Sequence, residues 1–275
     1  MFQKAGTVAW AVLVVALGGL ALATCQDAKP VGGQTISPPK ELAVDLGGGV
    51  NLEMVLIPAG EFMMGSPVSE RGAAADEKPQ HRVRINQPFY LGKYPVTQEQ
   101  WTAVMGGNPS FFKGPKNPVE EVSWDDCTQF FKRLNEKVGR GKYRFPTEAQ
   151  WEYACRAGST TRFCFGDDEA GLGAYGWYDK NSGGTSHPVG EKKPNAWGLY
   201  DMHGNIWQWC WDWYDSAYYA HSPVDDPAGP ATGTERVSHG GCWFSPASSA
   251  RSANHGRIES AHRGSHLGFR AALDL

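Results

Sequence analysis

Between His239 and Arg270 the chain reads HGGCWFSPASSARSANHGRIESAHRGSHLGFR, and the side chains best suited to chemistry concentrate here. Cys242 brings a thiol that could serve catalysis as a nucleophile. His255, His262 and His266 bring three imidazoles, the groups that most readily bind a metal or exchange a proton near neutral pH. Their spacing argues against a metal site. Gly256 and Gly264 interrupt any helix that would set the three rings on one face, and no cysteine or acid stands at ligand spacing, so surface histidines are expected. Gly240-Gly241, Trp243, Arg251 and Gly268-Phe269-Arg270 alternate with small and polar residues in no period of 2 or 3.6. A core element would show one of those periods. Catalysis with Cys242 and presentation of a surface to a partner are the two readings open to such a segment. No G-x-S-x-G elbow presents a serine, and Gly47-Gly48-Gly49 lacks the Lys-Ser/Thr of a phosphate loop.

Such a segment needs a rigid scaffold, and the rest of the chain points to one α+β domain. At 275 residues the chain can bury one substantial core. A formal charge of −3 argues against a nucleic-acid partner, which would want a basic face. With 34 glycines and 11 tryptophans the composition describes a loop-rich globule, neither disordered nor a helical bundle. The stretch "LEMVLIPAGEFMMGS" reads as two strands broken at Pro58-Ala59-Gly60, and "PFYLGKYPV" as another. Thr97 with Gln100 makes a capping box for a short helix closed by Gly106. Ser123 caps a longer helix with Trp124, Cys127, Phe131, Leu134 and Val138 down one face, ending at Gly139. Thr147 with Gln150 opens a third helix, ended by Gly158. Beyond it, short strands are expected at Arg236–Trp243 and Leu267–Leu273.

At the other end, Lys4 and the apolar run from Val8 to Ala23 read as a signal peptide over residues 1–24, too short for a membrane span. Leu22-Ala23-Thr24-Cys25 resembles a bacterial lipobox, which would attach the protein to a membrane through a lipid on Cys25. Ala21-Leu22-Ala23 would serve instead as an ordinary cleavage site. Both readings place the mature protein outside the cytoplasm, at a bacterial surface or in the periplasm. Residues 25–50 are expected as a flexible linker and 51–275 as the folded domain. Cys127, Cys155, Cys164, Cys210 and Cys242 are odd in number, so at least one is unpaired, and isolated core thiols are expected.

Seven stretches in order, "MVLIPAGEFMMGS", "PVTQEQW", "PVEEVSWDDC", "RFPTEAQWEYACRAG", "NAWGLYDMHGNIWQWCWDWY", "GGCW" and "LGFR", resemble the formylglycine-generating (sulfatase-modifying factor) family from about Leu52 to Ala272. The resemblance implies that family's elaborated C-type-lectin-like fold, α+β with little regular secondary structure. Its enzymes oxidise a sulfatase cysteine to formylglycine with two thiolates that bind copper(I). The matching positions are Ser245 and Ala250, so copper is not expected here. One calcium site of the family uses Gly-Asn-x-x-Glu. Gly204-Asn205-Ile206-Trp207-Gln208 replaces its carboxylate by an amide, so Asn205 and Gln208 imply a weakened calcium site at most. Family disulfide partners of Cys127 and Cys155 fall at His255 and Ala271, which cannot form those bridges.

The C-terminal segment resembles, more closely still, the variable proteins of diversity-generating retroelements. These share the fold and carry their hypervariable segment from a GGxW-like motif through an "ARSAN"-like scaffold to a terminal GFR. Ala250-Arg251-Ser252-Ala253-Asn254 and Leu267-Gly268-Phe269-Arg270 match. Adenine mutagenesis in those systems excludes Lys, Glu, Gln, Met and Trp, and from Phe244 to His266 only Glu259 belongs to the excluded set. The function expected is that of an exported, surface-anchored ligand-binding protein. Its display segment, about 239–266, would meet an unknown protein or peptide through Cys242, Phe244, Ser245, Ser248, Ser249, His255, Arg257, Ile258, His262, Arg263, Ser265 and His266. Phe244 and the residues after it are expected on one exposed face, above a buried Trp243, Arg251 and Phe269. The alternative is a formylglycine-generating oxidase or a divergent oxidoreductase of the family, which the loss of the thiolate pair argues against.

Overall fold

The computed structural model describes residues 40–139 and 141–275, so the signal peptide, Cys25 and most of the expected linker lie outside the described residues. Helix α1 (Gln98–Met105) begins where Thr97 accepts the Gln100 N–H and the Gln100 side chain accepts the Thr97 N–H, both halves of a capping box. Helix α2 (Trp124–Val138) opens identically between Ser123 and Asp126, and α3 (Glu148–Arg156) between Thr147 and Gln150. Gly106 and Gly139 close the first two. The third ends one residue before the expected Gly158, with Ala157 already in the left-handed region at φ 46°.

The expected linker over residues 25–50 is corrected at its end. Strand β1 (Glu41–Asp45) pairs antiparallel with β2 (Asn51–Ile57), Glu41 opposite Val55 and Asp45 opposite Asn51. Gly47, Gly48 and Gly49, at φ 86°, 64° and 81°, make the turn between them. These strands continue into a five-stranded sheet ordered β1-β2-β5-β11-β6, with β5 at Phe89–Gly92, β6 at Lys142–Arg144 and β11 at Ala272–Asp274. A second sheet runs β10-β7-β8-β9, from β7 (Trp207–Trp213), β8 (Glu235–His239), β9 (His255–Glu259) and β10 (Leu267–Phe269). A separate hairpin joins β3 (Gly60–Met64) to β4 (His81–Ile85).

Two residues, Arg270 and Ala271, carry the chain from the second sheet into the first, and both are fully buried. Phe269 plugs the aromatic core between α1, α2 and the sheets, with ring centroids 5.2–6.1 Å from those of Phe130, Phe131, Phe145 and Trp101. Such clusters bury large apolar area and add edge-to-face attraction. The Arg270 guanidinium is satisfied by the Gly92 and Tyr200 carbonyls (both 2.6 Å) and by Gln208 Oε1 (3.0 Å). Residues 240–266 therefore leave β8 and return to β10 with both ends set in core structure.

Candidate functional site

His239 ends β8, and Gly240 and Gly241, at φ 102° and 71°, turn the chain out of the sheet. The expected single exposed face divides. Phe244 is 49% exposed, and Ser248, Arg257, His262 and Arg263 are exposed as well. Ser249, Ile258, Ser265 and His266 are half-buried, and Ile258 packs on the aromatic core. Three expected display residues are corrected to buried ones: Cys242, Ser245 and the His255 side chain, the last 5% exposed. Ser245 is buried because it closes a turn, its hydroxyl accepting the Cys242 N–H (3.0 Å) and its N–H donating to the Cys242 carbonyl (2.9 Å). Trp243 is half-buried, not buried, with its indole N–H donating to the Ser265 carbonyl (3.1 Å).

Ring contacts gather part of the segment. Phe244 stands edge-on to Trp243 (4.7 Å) and His266 (5.2 Å), and His266 lies 6.0 Å from His262. Trp243 continues the ladder to Phe112 (5.4 Å) and thence to Phe111 (4.9 Å), which is 70% exposed. Arg263 forks onto Asp126 of α2 at 2.8 and 2.9 Å, beside an open cleft of about 890 Å³ also walled by Phe111, Lys113 and Glu121. Arg257 belongs to another neighbourhood, against the Tyr214 hydroxyl at 2.9 Å.

Beneath the segment, Arg251 is 1% exposed, as expected. It binds both oxygens of Glu77 at 2.7 Å, Glu70 at 2.6 Å and the Ser248 carbonyl at 2.8 Å. Burial pushes the Glu77 carboxyl up, but Arg251, Ser66 and Asn254 together hold it below the ordinary value. His203 supports the segment from the other side. Its Nδ1–H donates to the Ala250 carbonyl (2.8 Å) and its Nε2 accepts the Cys164 N–H (3.1 Å), an arrangement that requires the neutral ring. Burial lowers its pKa to about 4.

A third group was not foreseen. Antiparallel pairing of β8 with β9 sets His239 directly opposite His255, so the two imidazoles share a face. Both converge on Glu148, the first residue of α3. Its Oε1 lies 2.8 Å from His255 Nδ1 and 3.4 Å from His239 Nε2, and accepts the Tyr219 hydroxyl at 2.8 Å. Burial opposes the charge on His255, but Glu148 and Asp76 raise its pKa to about 10. The sequence grouped His255 with His262 and His266. The strand register separates it from them and gives it His239 instead.

Residues 49–275 match the sulfatase-modifying factor enzyme 1-like domain. The chain belongs to this family. The formylglycine-generating enzyme of Streptomyces coelicolor is 30% identical over 290 aligned positions, covering 80% of this chain and 88% of that enzyme. Among solved structures, Treponema denticola variable protein 1 is 31% identical with a TM-score of 0.80, covering 86% of this chain and all (100%) of that one. PvdO from Pseudomonas aeruginosa is 30% identical with a TM-score of 0.78, covering 87% of this chain and 100% of its own. The fold expected from the motifs, that of the formylglycine-generating enzymes and the C-type-lectin-like variable proteins, is the one present.

The metals associated with the sulfatase-modifying factor family do not suit the residues found here. Copper(I) would take two thiolates. Ala250 offers a buried methyl group, the Ser245 hydroxyl is engaged by the Cys242 N–H, and burial raises the Cys242 thiol. Among the described residues, no imidazole or carboxylate hydrogen-bonds to Cys242 as a base would. The weak calcium site expected at Asn205 and Gln208 meets a similar obstacle. Gln208 Oε1 already accepts from Trp151 Nε1 (2.9 Å) and Arg270 Nε (3.0 Å), and a second cation beside that guanidinium would be repelled. Asn205 Oδ1 accepts the His187 N–H at 3.0 Å.

Proposed function

We propose that this chain is an exported, surface-anchored binding protein of the sulfatase-modifying factor family, which meets a protein or peptide ligand through its aromatic ladder. The observation that carries the reading is the pair of exposed rings, Phe244 and Phe111 (49% and 70%), backed by the half-buried Trp243 and Phe112. Aromatic anchors held on rigid support are what concentrates binding energy in an interface. His262 and Arg263 supply the exposed polar surroundings, and the adjoining cleft leaves room for a ligand side chain. Similarity to Treponema denticola variable protein 1 supports the reading. Lipidation of Cys25 is part of the proposal, and Cys25→Ser should move the protein from the detergent phase to the soluble fraction.

The ladder is tested by panning a random peptide library on the full chain, with Phe111→Ser/Phe244→Ser as the counter-screen. Enriched peptides should bind the double variant at least about tenfold more weakly, a difference of about 1.4 kcal/mol. Its melting temperature should be nearly that of the wild type. Peptides that bind both proteins equally would refute the ladder as the site. The likeness to a formylglycine-generating enzyme supports a second reading, oxidation of a peptide cysteine. Incubation with copper(I), oxygen and a cysteine-containing sulfatase peptide, followed by mass, would decide for it if formylglycine formed.

A further inference from the structure

Four elements deliver one compact donor set to the base of the display segment: Glu148 from α3, His239 from β8, His255 from β9, and Tyr219 from the short 3-10 turn Tyr218–Ala220. We infer that these residues bind one first-row divalent transition-metal ion, of which zinc is the best match. Two imidazole nitrogens with one carboxylate and one phenol oxygen form a borderline set that suits zinc and its neighbours, whereas calcium takes oxygen ligands alone.

The ligand atoms of Glu148, His239 and His255 lie within 4.8 Å of one another, and two of the edges are 2.8 and 3.4 Å. Ligands about 2.0–2.1 Å from a common centre make edges of that size at angles between a right angle and the tetrahedral one. The ion would take the place of the hydrogens that now lie between these atoms. The rings are already oriented. Trp151 stacks on His239 at 4.6 Å, and Tyr219 stands edge-on to His255 at 5.7 Å. Asp76 Oδ2, which accepts the Tyr214 hydroxyl at 2.6 Å, lies 3.6 Å from the outer nitrogen of His255, near enough to pair with its charge but beyond hydrogen-bond distance. The three side chains are 6%, 0% and 5% exposed in the order Glu148, His239 and His255, so the centre is closed and its role structural. His239 and His255 bracket residues 240–254, and the ion fastens both ends of that loop to α3 whichever ligand the aromatic ladder meets.

The full chain, prepared without a polyhistidine tag and stripped with a chelator, is titrated with cobalt(II) and then zinc(II). The expected result is one cobalt per chain with the strong visible bands of four-coordinate cobalt(II), displaced by zinc, and a melting temperature that rises with zinc. His262→Ala/His266→Ala should keep those bands, because that pair is not the site. Glu148→Gln preserves shape and should lower cobalt affinity by at least about tenfold with unchanged circular dichroism. A wild-type chain that binds no stoichiometric cobalt overturns the inference. So do bands lost in the His262/His266 variant, or an affinity that Glu148→Gln leaves unchanged.

Discussion

Replacing Arg251 by methionine should destabilise the domain far more than any change on the display surface. Methionine keeps much of the apolar stem but removes the guanidinium that holds Glu77, whose side chain is fully buried, and Glu70, 6% exposed. Glu77 then retains only the Ser66 hydroxyl (2.6 Å) and the Asn254 amide (3.0 Å). Breaking a buried ion pair from one side costs about 3–5 kcal/mol, because the remaining charge stays buried. For a domain of this size each kcal/mol shifts the melting temperature by about 2–4 °C, so a fall of roughly 10–15 °C is expected at pH 7. The pH dependence carries a sign. In the wild type the Glu77 carboxyl is held below its ordinary value, so its contribution is present above about pH 4.3 and lost as pH falls through the folded value. In the variant burial acts without Arg251, the folded value rises, and stability falls as pH rises past the same point. The gap between the proteins should therefore narrow toward acid pH. Arg251→Met/Glu77→Gln should recover much of the loss. Melting followed by near-ultraviolet circular dichroism would refute the argument if Arg251→Met lay within about 0.5 kcal/mol of the wild type, or if the double variant were no better than the single one.

Two further outcomes rest on buried titratable groups. His203 is held near pKa 4, so the unfolded chain takes its proton first as pH falls. Its contribution is whole above about pH 6.5 and declines toward pH 4 by up to about 3 kcal/mol. Urea unfolding of His203→Gln should show a flatter pH dependence than the wild type in that window, and parallel slopes would contradict the assignment. Cys242 is buried with its thiol raised. Iodoacetamide should modify it at least about tenfold more slowly in the native protein than in urea, and rapid native labelling would point to an accessible, activated thiol.

Local rules were legible in the sequence and long-range pairing was not. The capping boxes at Thr97 and Thr147 and the left-handed closures at Gly106 and Gly139 depend on residues three or four apart, and all appear where expected. The break at Pro58-Ala59 between β2 and β3 was equally local. Strand β7 was missed because its sequence, WQWCWDW, alternates in the inverted sense, with the polar set turned inward. Gln208, Cys210 and Asp212 are buried, while Trp211 is 46% exposed. Strands β4, β6 and β9 carry charged residues on short runs and are strands only because of their partners. The same blindness hid the Glu148–His239–His255 cluster. A histidine before Gly240-Gly241 and another after Asn254 say nothing about each other until the β8–β9 register is known. Aperiodicity fits the irregular path of residues 240–254, but it hid strand β9 at His255–Glu259 and could not tell Phe244, which stands out, from Ser245, which folds in.

Strand β11 lies between β5 and β6, pairing Ala272 with Leu91 on one side and Arg144 on the other. Just before it, β10 runs parallel to β7. Both sheets therefore draw a strand from the same eight residues, and the pairing joins widely separated parts of the chain. Such non-local closure makes folding slow and leaves strand edges open until it occurs. Substitutions at the exposed positions Phe244, Ser248, Arg257, His262 and Arg263 change what the finished molecule presents. Substitutions from Leu267 onward instead change how fast it is finished, and how long its open edges remain available to chaperones, proteases and aggregation.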